Sequence, residues 1–285
     1  MELTDLKIFA AVAEEGSISG AAERLEYVQS NVTARIRKLE SELGASLFRR
    51  HPKGVELTEK GAVFREYAAL ILKLSEEAAN AVKETEFPSG PLAVGVVETV
   101  TCGNFMNAIA EFQSRYPDVS LSLVTGTSSE LLTQVLDRRL DGAFVTGDVD
   151  SSVLVREYAE RDEIVLLSGG DPSEPYPDLA KVRWAVSPIG CPFRAVLERW
   201  LQREGIAFRN KIEIGSLETL LNSVKAGLAC TLLPRSVLTG AYDKLSVRPI
   251  PEEFRYAEAS LVRRDDPLPK RAFAAFADMV RVRGL

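Results

Sequence analysis

The segment Phe87-Pro88-Ser89-Gly90-Pro91 separates two stretches of chain with different hydrophobic periods. Two prolines and a glycine in five residues suit neither a helix interior nor a sheet interior, so the segment predicts a hinge. Before it, apolar residues recur at helical spacing. After it, short apolar runs alternate with amphipathic stretches. At 285 residues, a chain divided this way is expected to form two folded units, or three.

In the first stretch, residues 4–15 place Leu6, Phe9, Ala10 and Ala13 on one helical face. Gly16 ends that helix and Ser17 is a cap for the next, residues 18–26, which carries Ile18, Ala21, Ala22 and Leu25. After a break at Tyr27-Val28, residues 29–42 form a third helix, with Val32, Ile36, Leu39 and Leu43 on its buried face and Gly44 as its stop. Three short helices with small residues between the second and third make a helix-turn-helix pattern. Residues 47–57 then read as a β-hairpin, or wing, with Pro52 and Gly54 in a basic turn. Thr58 caps a long helix expected to run to about Thr85, with Val63, Tyr67, Leu70, Leu74, Ala78 and Ala81 along one stripe. That stripe suits a dimer seam; it equally suits packing on its own domain.

Beyond the hinge the order is strand 92–97, helix 103–116, strand 119–126, helix 128–139, strand 142–147. This βαβαβ order predicts a parallel sheet with helices on both faces. Strands at 163–168, 184–188, 211–215 and 229–234, with helices at 193–204 and 216–226, repeat the theme. Residues 256–262 return as a strand and 267–283 as a helix. The expected divisions are a winged helix-turn-helix over 1–60, a linker or dimerisation helix over 58–87, and a two-lobed α/β domain over 88–285. Its lobe I takes about 91–161 and 264–285, and lobe II about 162–263.

Several classes of function find no support. Three cysteines (Cys102, Cys191, Cys230) form no CxxC pair and His51 is the sole histidine, which argues against a zinc site or a disulfide framework. No metal or other cofactor is expected. GxSxG, a helix-opening GxGxxG and a P-loop are all missing, so catalysis has no recognisable constellation. No run approaches the ~18 apolar residues of a membrane span. The start, Met-Glu-Leu-Thr-Asp, lacks the basic and apolar regions of a secretory signal. A cytoplasmic protein with no membrane partner is the expectation.

The net charge of −6 opposes generic binding to nucleic acid. Its distribution does not. Residues 33–53 carry Arg35, Arg37, Lys38, Arg49, Arg50 and Lys53 against Glu40 and Glu42, a local +4 in an acidic chain. On the third helix, Ser30, Thr33, Ala34, Arg37 and Ser41 fall opposite the buried face, with Gln29 and Asn31 flanking its first turn. Gln and Asn can bond an adenine edge bidentately, Ser and Thr adapt to several bases, and Ala can meet a thymine methyl. Arg37 is placed for a phosphate, and Arg49, Arg50 and Lys53 for a groove edge or backbone. A merely solvated helix face has the same composition.

The stretch FAAVAEEGSISGAAERLEYVQSNVTARIRKLESELGASLFRRHPKGVELTEKG resembles the N-terminal winged helix-turn-helix of LysR-type transcriptional regulators. The matched features are L-x-x-F, G-S-I-S-x-A-A-E-x-L, Q-S-N-V-T-x-x-I-x-x-L-E-x-x-L-G, L-F-x-R and L-T-x-x-G, in order and at joint spacing. The long helix, the hinge and the two-lobed part fit as well, so the resemblance extends over essentially the whole chain. It implies that Gln29, Ser30, Asn31 and Thr33 meet the major groove and that Arg50, with Arg49, enters the neighbouring minor groove. Many members have arginine directly after the position of Thr33. Here Ala34 stands there and Arg35 follows, closer to the protein, which suggests a phosphate contact rather than base reading.

The resemblance also implies an effector-binding domain similar to periplasmic binding proteins, with a small molecule held between the lobes. Ligands of such folds sit beyond strand C-terminal ends, at helix N-termini. Segments so placed contain Thr99, Val100 and Thr101; Thr127 and Ser128; Ser187, Gly190, Cys191, Phe193 and Arg194; and Gly215 and Ser216. Hydroxyls at helix starts are also ordinary caps. Arg194 suits a ligand carboxylate or a salt bridge on its own helix. Cys191, at a helix start, admits a redox reading, whereas Cys230 reads as core. The family pattern further implies a homo-oligomer, a dimer assembling to a tetramer, on double-stranded promoter DNA with dyad symmetry.

Overall fold

The computed structural model describes residues 1–52, 54–82, 87–149, 152–169, 176–266 and 269–284. The chain divides into two units, Met1–Glu84 and Thr85–Leu285.

In the first unit, α1 (Leu3–Glu15) buries Leu6, Ile8, Phe9 and Val12, and Gly16 ends it in the left-handed conformation, φ 60°. α2 (Ile18–Arg24) begins at Ser17, whose hydroxyl accepts from the Gly20 N–H at 3.2 Å. α3 (Gln29–Leu43) buries Val32, Ile36 and Leu39 against them. Leu43 departs from the expected buried face. It keeps the right angular position, yet is 40% exposed and lies with Val63, Phe64 and Tyr67 on an open apolar groove. Periodicity sets the direction of a side chain; it does not supply an element to cover it.

The wing is the antiparallel pair β1 (Phe48–His51) and β2 (Gly54–Leu57), with Lys53 outside the described residues. Two contacts fix it to the helices. Glu40 Oε1 accepts from the Leu47 and Phe48 N–H groups (2.7 and 3.1 Å), and the Val55 N–H donates to the Gly16 carbonyl (2.9 Å). Gly54 sits so close to Gly16 that an added Cβ would strike its carbonyl oxygen, and its φ of +140° also requires glycine. Thr58 caps α4 (Glu59–Ala81) by accepting from the Gly61 N–H at 2.9 Å. Along α4, Val63, Tyr67, Ile71 and Leu74 are exposed, while Ala68 is buried in the helical core. The expected continuation to Thr85 lies outside the described residues.

In the second unit, β4 (Val119–Thr125), β3 (Gly90–Val96) and β5 (Gly142–Thr146) are parallel neighbours, joined by α5 (Phe105–Arg115) and α6 (Ser128–Leu136). The all-parallel sheet expected from the βα alternation stops there. β11 (Tyr256–Arg264) lies antiparallel between β5 and β6 (Leu154–Ser168). The second lobe hangs from the far end of β6, which pairs antiparallel with β9 (Thr231–Pro234) and β10 (Ser246–Pro249). β7 (Trp184–Val186) and β8 (Lys211–Glu213) add a parallel pair.

The long β6 explains the difference. Its first part pairs with β11 in one sheet, and residues 164–168 pair with β9 and β10 in the other, so one strand crosses between lobes. Its first half, LVREYAERD, is charged and half-exposed, which hid it from a search for apolar runs. Leu261 and Val262 of the returning β11 bury in the first core, with Phe105, Phe112, Phe144 and Phe276. The boundary expected from sequence, lobe II over about 162–263, assigns them to the other lobe, whereas their pairing with β5 sets them in the first. α7 (Pro192–Arg203) and α8 (Leu217–Lys225) pack on the second core around Trp184 and Trp200, while α9 (Arg271–Arg283) closes the first.

Candidate DNA-reading face and ligand cleft

The basic island of residues 33–53 is two populations. Arg35 Nη1 donates to Asp5 Oδ1 (2.7 Å) and Glu2 Oε2 (3.1 Å), and Lys38 Nζ reaches Glu2 Oε1 at 3.2 Å. Asp5 is 1% exposed and also accepts the Glu2 N–H at 2.8 Å. Burial pushes its carboxyl pKa up, but the bonds from Arg35 and the Glu2 N–H outweigh that and hold it below its ordinary value. Arg35 therefore faces α1, not outward. Arg37, Arg49 and Arg50 are exposed and, among the described residues, enter no ion pair.

These three share the unit with the first turn of α3, where Gln29, Ser30 and Asn31 are exposed and Thr33 is half-buried. Val28 opens α3 without a side-chain cap and is 72% exposed. An exposed helix start without a side-chain cap, with polar side chains and with arginines that enter no ion pair among the described residues, can approach phosphates and reach base edges. Lys53, named with this set from sequence, is outside the described residues.

In the second unit, a cavity of about 290 Å3 opens between the lobes. Its first-lobe wall is Val97, Glu98, Thr99, Thr125, Gly126, Thr127, Ser128, Glu130 and Thr146. Its second-lobe wall is Ser187, Pro188, Gly190, Cys191, Pro192, Phe193, Gly215, Leu217 and Leu233. Three helix starts border it, because parallel strands deliver their helices at the same edge. The start of α6 carries a reciprocal cap. Thr127 accepts from the Glu130 N–H at 3.3 Å, and Glu130 Oε2 accepts from the Thr127 N–H and hydroxyl, both 2.9 Å. Those bonds hold the Glu130 carboxyl below its usual pKa. Ser128 exchanges hydrogen bonds with the Thr146 main chain (3.1 and 3.0 Å), tying α6 to β5.

Thr99, Thr127, Ser128, Ser187, Gly190, Cys191, Phe193 and Gly215 are thus brought together at the cavity. Four other residues singled out from sequence are not on its wall. Val100 is buried in the first core. Thr101 turns its hydroxyl to the Glu98 carbonyl, 2.7 Å away. Ser216 caps α8 by accepting from the Thr219 N–H at 3.4 Å. Arg194, 7% exposed, is held by Glu198 Oε1 (2.9 Å), Glu213 Oε2 (2.6 Å) and the Ser187 carbonyl (3.1 Å). It braces the loop before α7 instead of facing a ligand.

Sequence reasoning missed Glu130, Thr125, Thr146, Leu217 and Leu233. For Glu130 a signal was present, since Thr127-x-x-Glu130 is a capping-box pattern. No group of three or more His, Cys, Asp or Glu side chains able to hold a metal occurs among the described residues. Burial pushes the Cys102 and Cys230 thiols up, with Glu98 adding to the effect at Cys102, so neither is activated as a thiolate. No described helix is long and apolar enough to cross a membrane.

Comparison with known proteins identifies both units. Residues 3–62 match the family model described as "Bacterial regulatory helix-turn-helix protein, lysR family", and residues 85–284 match that described as "LysR substrate binding domain". The chain is 41% identical over 268 residues to the HTH-type transcriptional regulator CzcR of Bacillus subtilis (strain 168), covering 93% of this chain and 92% of that protein. It is 36% identical over 283 residues to the HTH-type transcriptional regulator SoxR of an Arthrobacter species, covering 99% and 97%. Among solved structures, full-length CbnR complexed with its target DNA superposes with a TM-score of 0.70 at 23% identity, covering 99% of each chain. Full-length BenM matches at 0.58 and 20%, covering 99% of this chain and 96% of that one. With a winged helix-turn-helix in one unit and a two-lobed ligand-binding fold in the other, the chain belongs to the LysR family of bacterial transcriptional regulators.

Proposed function

We propose that this regulator reads promoter DNA with the first turn of α3 and answers to a small molecule held in the interlobe cavity. Gln29, Ser30, Asn31 and Thr33 contact base edges in the major groove. Arg37 neutralises a phosphate, and Arg49 and Arg50 of the wing take the backbone or the adjacent minor groove, where Lys53 joins them. Arg35 serves the fold of the unit rather than the DNA. The observation that supports this reading is the division of the basic island: among the described residues Arg37, Arg49 and Arg50 enter no ion pair, while Arg35 and Lys38 are paired. It acts in the cytoplasm, where promoters are, and does not catalyse a reaction.

The exposed apolar residues Val63, Tyr67, Ile71 and Leu74 on α4 support a homodimer seam. A dimer then places two copies of α3 on successive turns of one DNA face, and pairs of dimers form the tetramer. Effector binding shifts the balance between lobe arrangements and thereby the setting of the DNA-binding pairs.

Two substitutions separate the DNA roles. Arg50→Ala is expected to weaken binding to all sequences and to reduce the log–log salt slope by about one. Gln29→Ala is expected to cost roughly 1–3 kcal/mol at one base position and to leave the salt slope unchanged. Fluorescence anisotropy across a salt series, with single-base variants of a bound duplex, checks both. Uniform loss from both substitutions contradicts the division between base reading and backbone contact.

A further inference from the structure

The charge of the cavity wall restricts what can enter it. Among the described residues that line it, none is lysine or arginine, and two, Glu98 and Glu130, are carboxylates. Two arginines near the wall are themselves paired with carboxylates. Arg194 is paired with Glu198 and Glu213, and Arg235, beside the Glu98 segment, is paired with Glu163 at 2.6 Å.

A helix start is ordinarily a place for an anion. Here one of the three is occupied by the chain's own carboxylate, and a second carries a carboxylate in its first turn. Glu98 reaches across from the first lobe, and its Oε2 accepts the Leu217 N–H, the first of α8, at 2.9 Å. Glu130, the third residue of α6, instead turns back to the N–H of the capping residue Thr127, placing a second carboxylate beside that helix start. Only α7 reaches the cavity without a side-chain cap, and its first residue, Pro192, has no N–H to offer. At about 290 Å3 the cavity is at the small end of the ligand-pocket range.

Resting on the reading of this cavity as the effector site, we propose that its ligand is a small molecule bearing a protonated amine, bound through Glu98 and Glu130, and that simple carboxylates are refused. Glu98 and Glu130 each accept a main-chain N–H through Oε2, which leaves Oε1 for an ammonium N–H. A carboxylate enters only on a molecule that also carries the amine, where it meets the open start of α7. An amino acid is such a molecule. Glu98 also links the lobes, so an amine seated on it reports directly on their closure.

Matched probes test this on the full-length protein by titration calorimetry. Pentylamine carries the amine alone, valerate the carboxylate alone, and L-norvaline both on a similar chain. Pentylamine and norvaline are expected to bind and valerate is not. Glu98→Gln keeps an oxygen for the Leu217 N–H and removes the charge, and it should weaken amine binding about tenfold. Glu130→Gln, which preserves the α6 cap, gives a second reading should the first variant fold poorly. Valerate binding as tightly as pentylamine overturns the proposal. So does amine affinity unchanged in both variants, or failure of both amines to bind. Gly215→Trp, which fills the cavity, separates the two levels. Amine binding that survives it places the amine outside the cavity and overturns the amine proposal alone, whereas the reading of the cavity as the effector site fails only if the effector response also survives in the same variant.

Discussion

Arg35→Ala is expected to lower the unfolding midpoint of the N-terminal unit by roughly 5 °C or more, whereas Arg37→Ala, two residues on, leaves it within about 2 °C. Arg35 is the partner of a carboxylate that is 1% exposed, and removing it strands that charge between α1 and α3. Arg37 has no such partner among the described residues, and Arg37→Ala is expected instead to weaken DNA binding. The first effect also depends on pH. The folded Asp5 carboxyl lies below its ordinary value of 3.8, so its contribution is complete above that pH and is lost as pH falls through the folded value. In Arg35→Ala the stranded carboxyl is stabilised by protonation, so the gap between the two proteins should close in acid. Thermal melts of both variants from neutral pH to below 4 check the sign. A gap that widens on acidification contradicts the role given to Asp5.

Gly215→Trp is expected to abolish the response to effector while leaving DNA affinity within twofold of the parent, a difference of about 0.4 kcal/mol. Gly215 lines the cavity, has an ordinary backbone conformation, and offers open space to an added Cβ. The new ring can therefore enter the ligand's volume without displacing a core side chain. Thr101→Val, which looks equivalent from sequence, should act more weakly, because the Thr101 hydroxyl turns to the Glu98 carbonyl and away from the cavity. Effector titration followed by changes in DNA-complex mobility measures both. An unchanged response in Gly215→Trp means the effector binds elsewhere.

Where the sequence led correctly, a local pattern was sufficient. Helix starts and stops such as Ser17, Gly16, Gly44 and Thr58 act through their own backbone neighbours, so their effect is readable in order along the chain. What escaped depended on partners far apart. The helical angle sets Arg35 closer to the protein than Arg37, but not its partners Glu2 and Asp5, which come from another helix and make it part of the fold. Arg194 offers itself to a ligand until Glu213 from β8 reaches it. The antiparallel β11 and the crossing strand β6 escaped because a strand passing between lobes is half-solvated and carries charge, so it shows no apolar run. The cleft was placed by topology, since parallel strands deliver helix starts to one edge, but its electrostatic character was not. Nothing along the chain shows that the Glu98 carboxylate reaches the first N–H of α8 from the other lobe, or that Glu130 lies on the same cavity.

We propose that exposed polar residues on α3 read sequence while the wing arginines supply affinity. Selection of bound duplexes from a randomised pool, carried out in parallel with the parent chain and Gln29→Ala, tests it most directly. The account predicts a dyad-symmetric motif for the parent, with half-sites about one helical turn apart, and a motif degenerate at one position per half-site for the variant. Enrichment of no motif by the parent, or of an identical motif by both proteins, would contradict it.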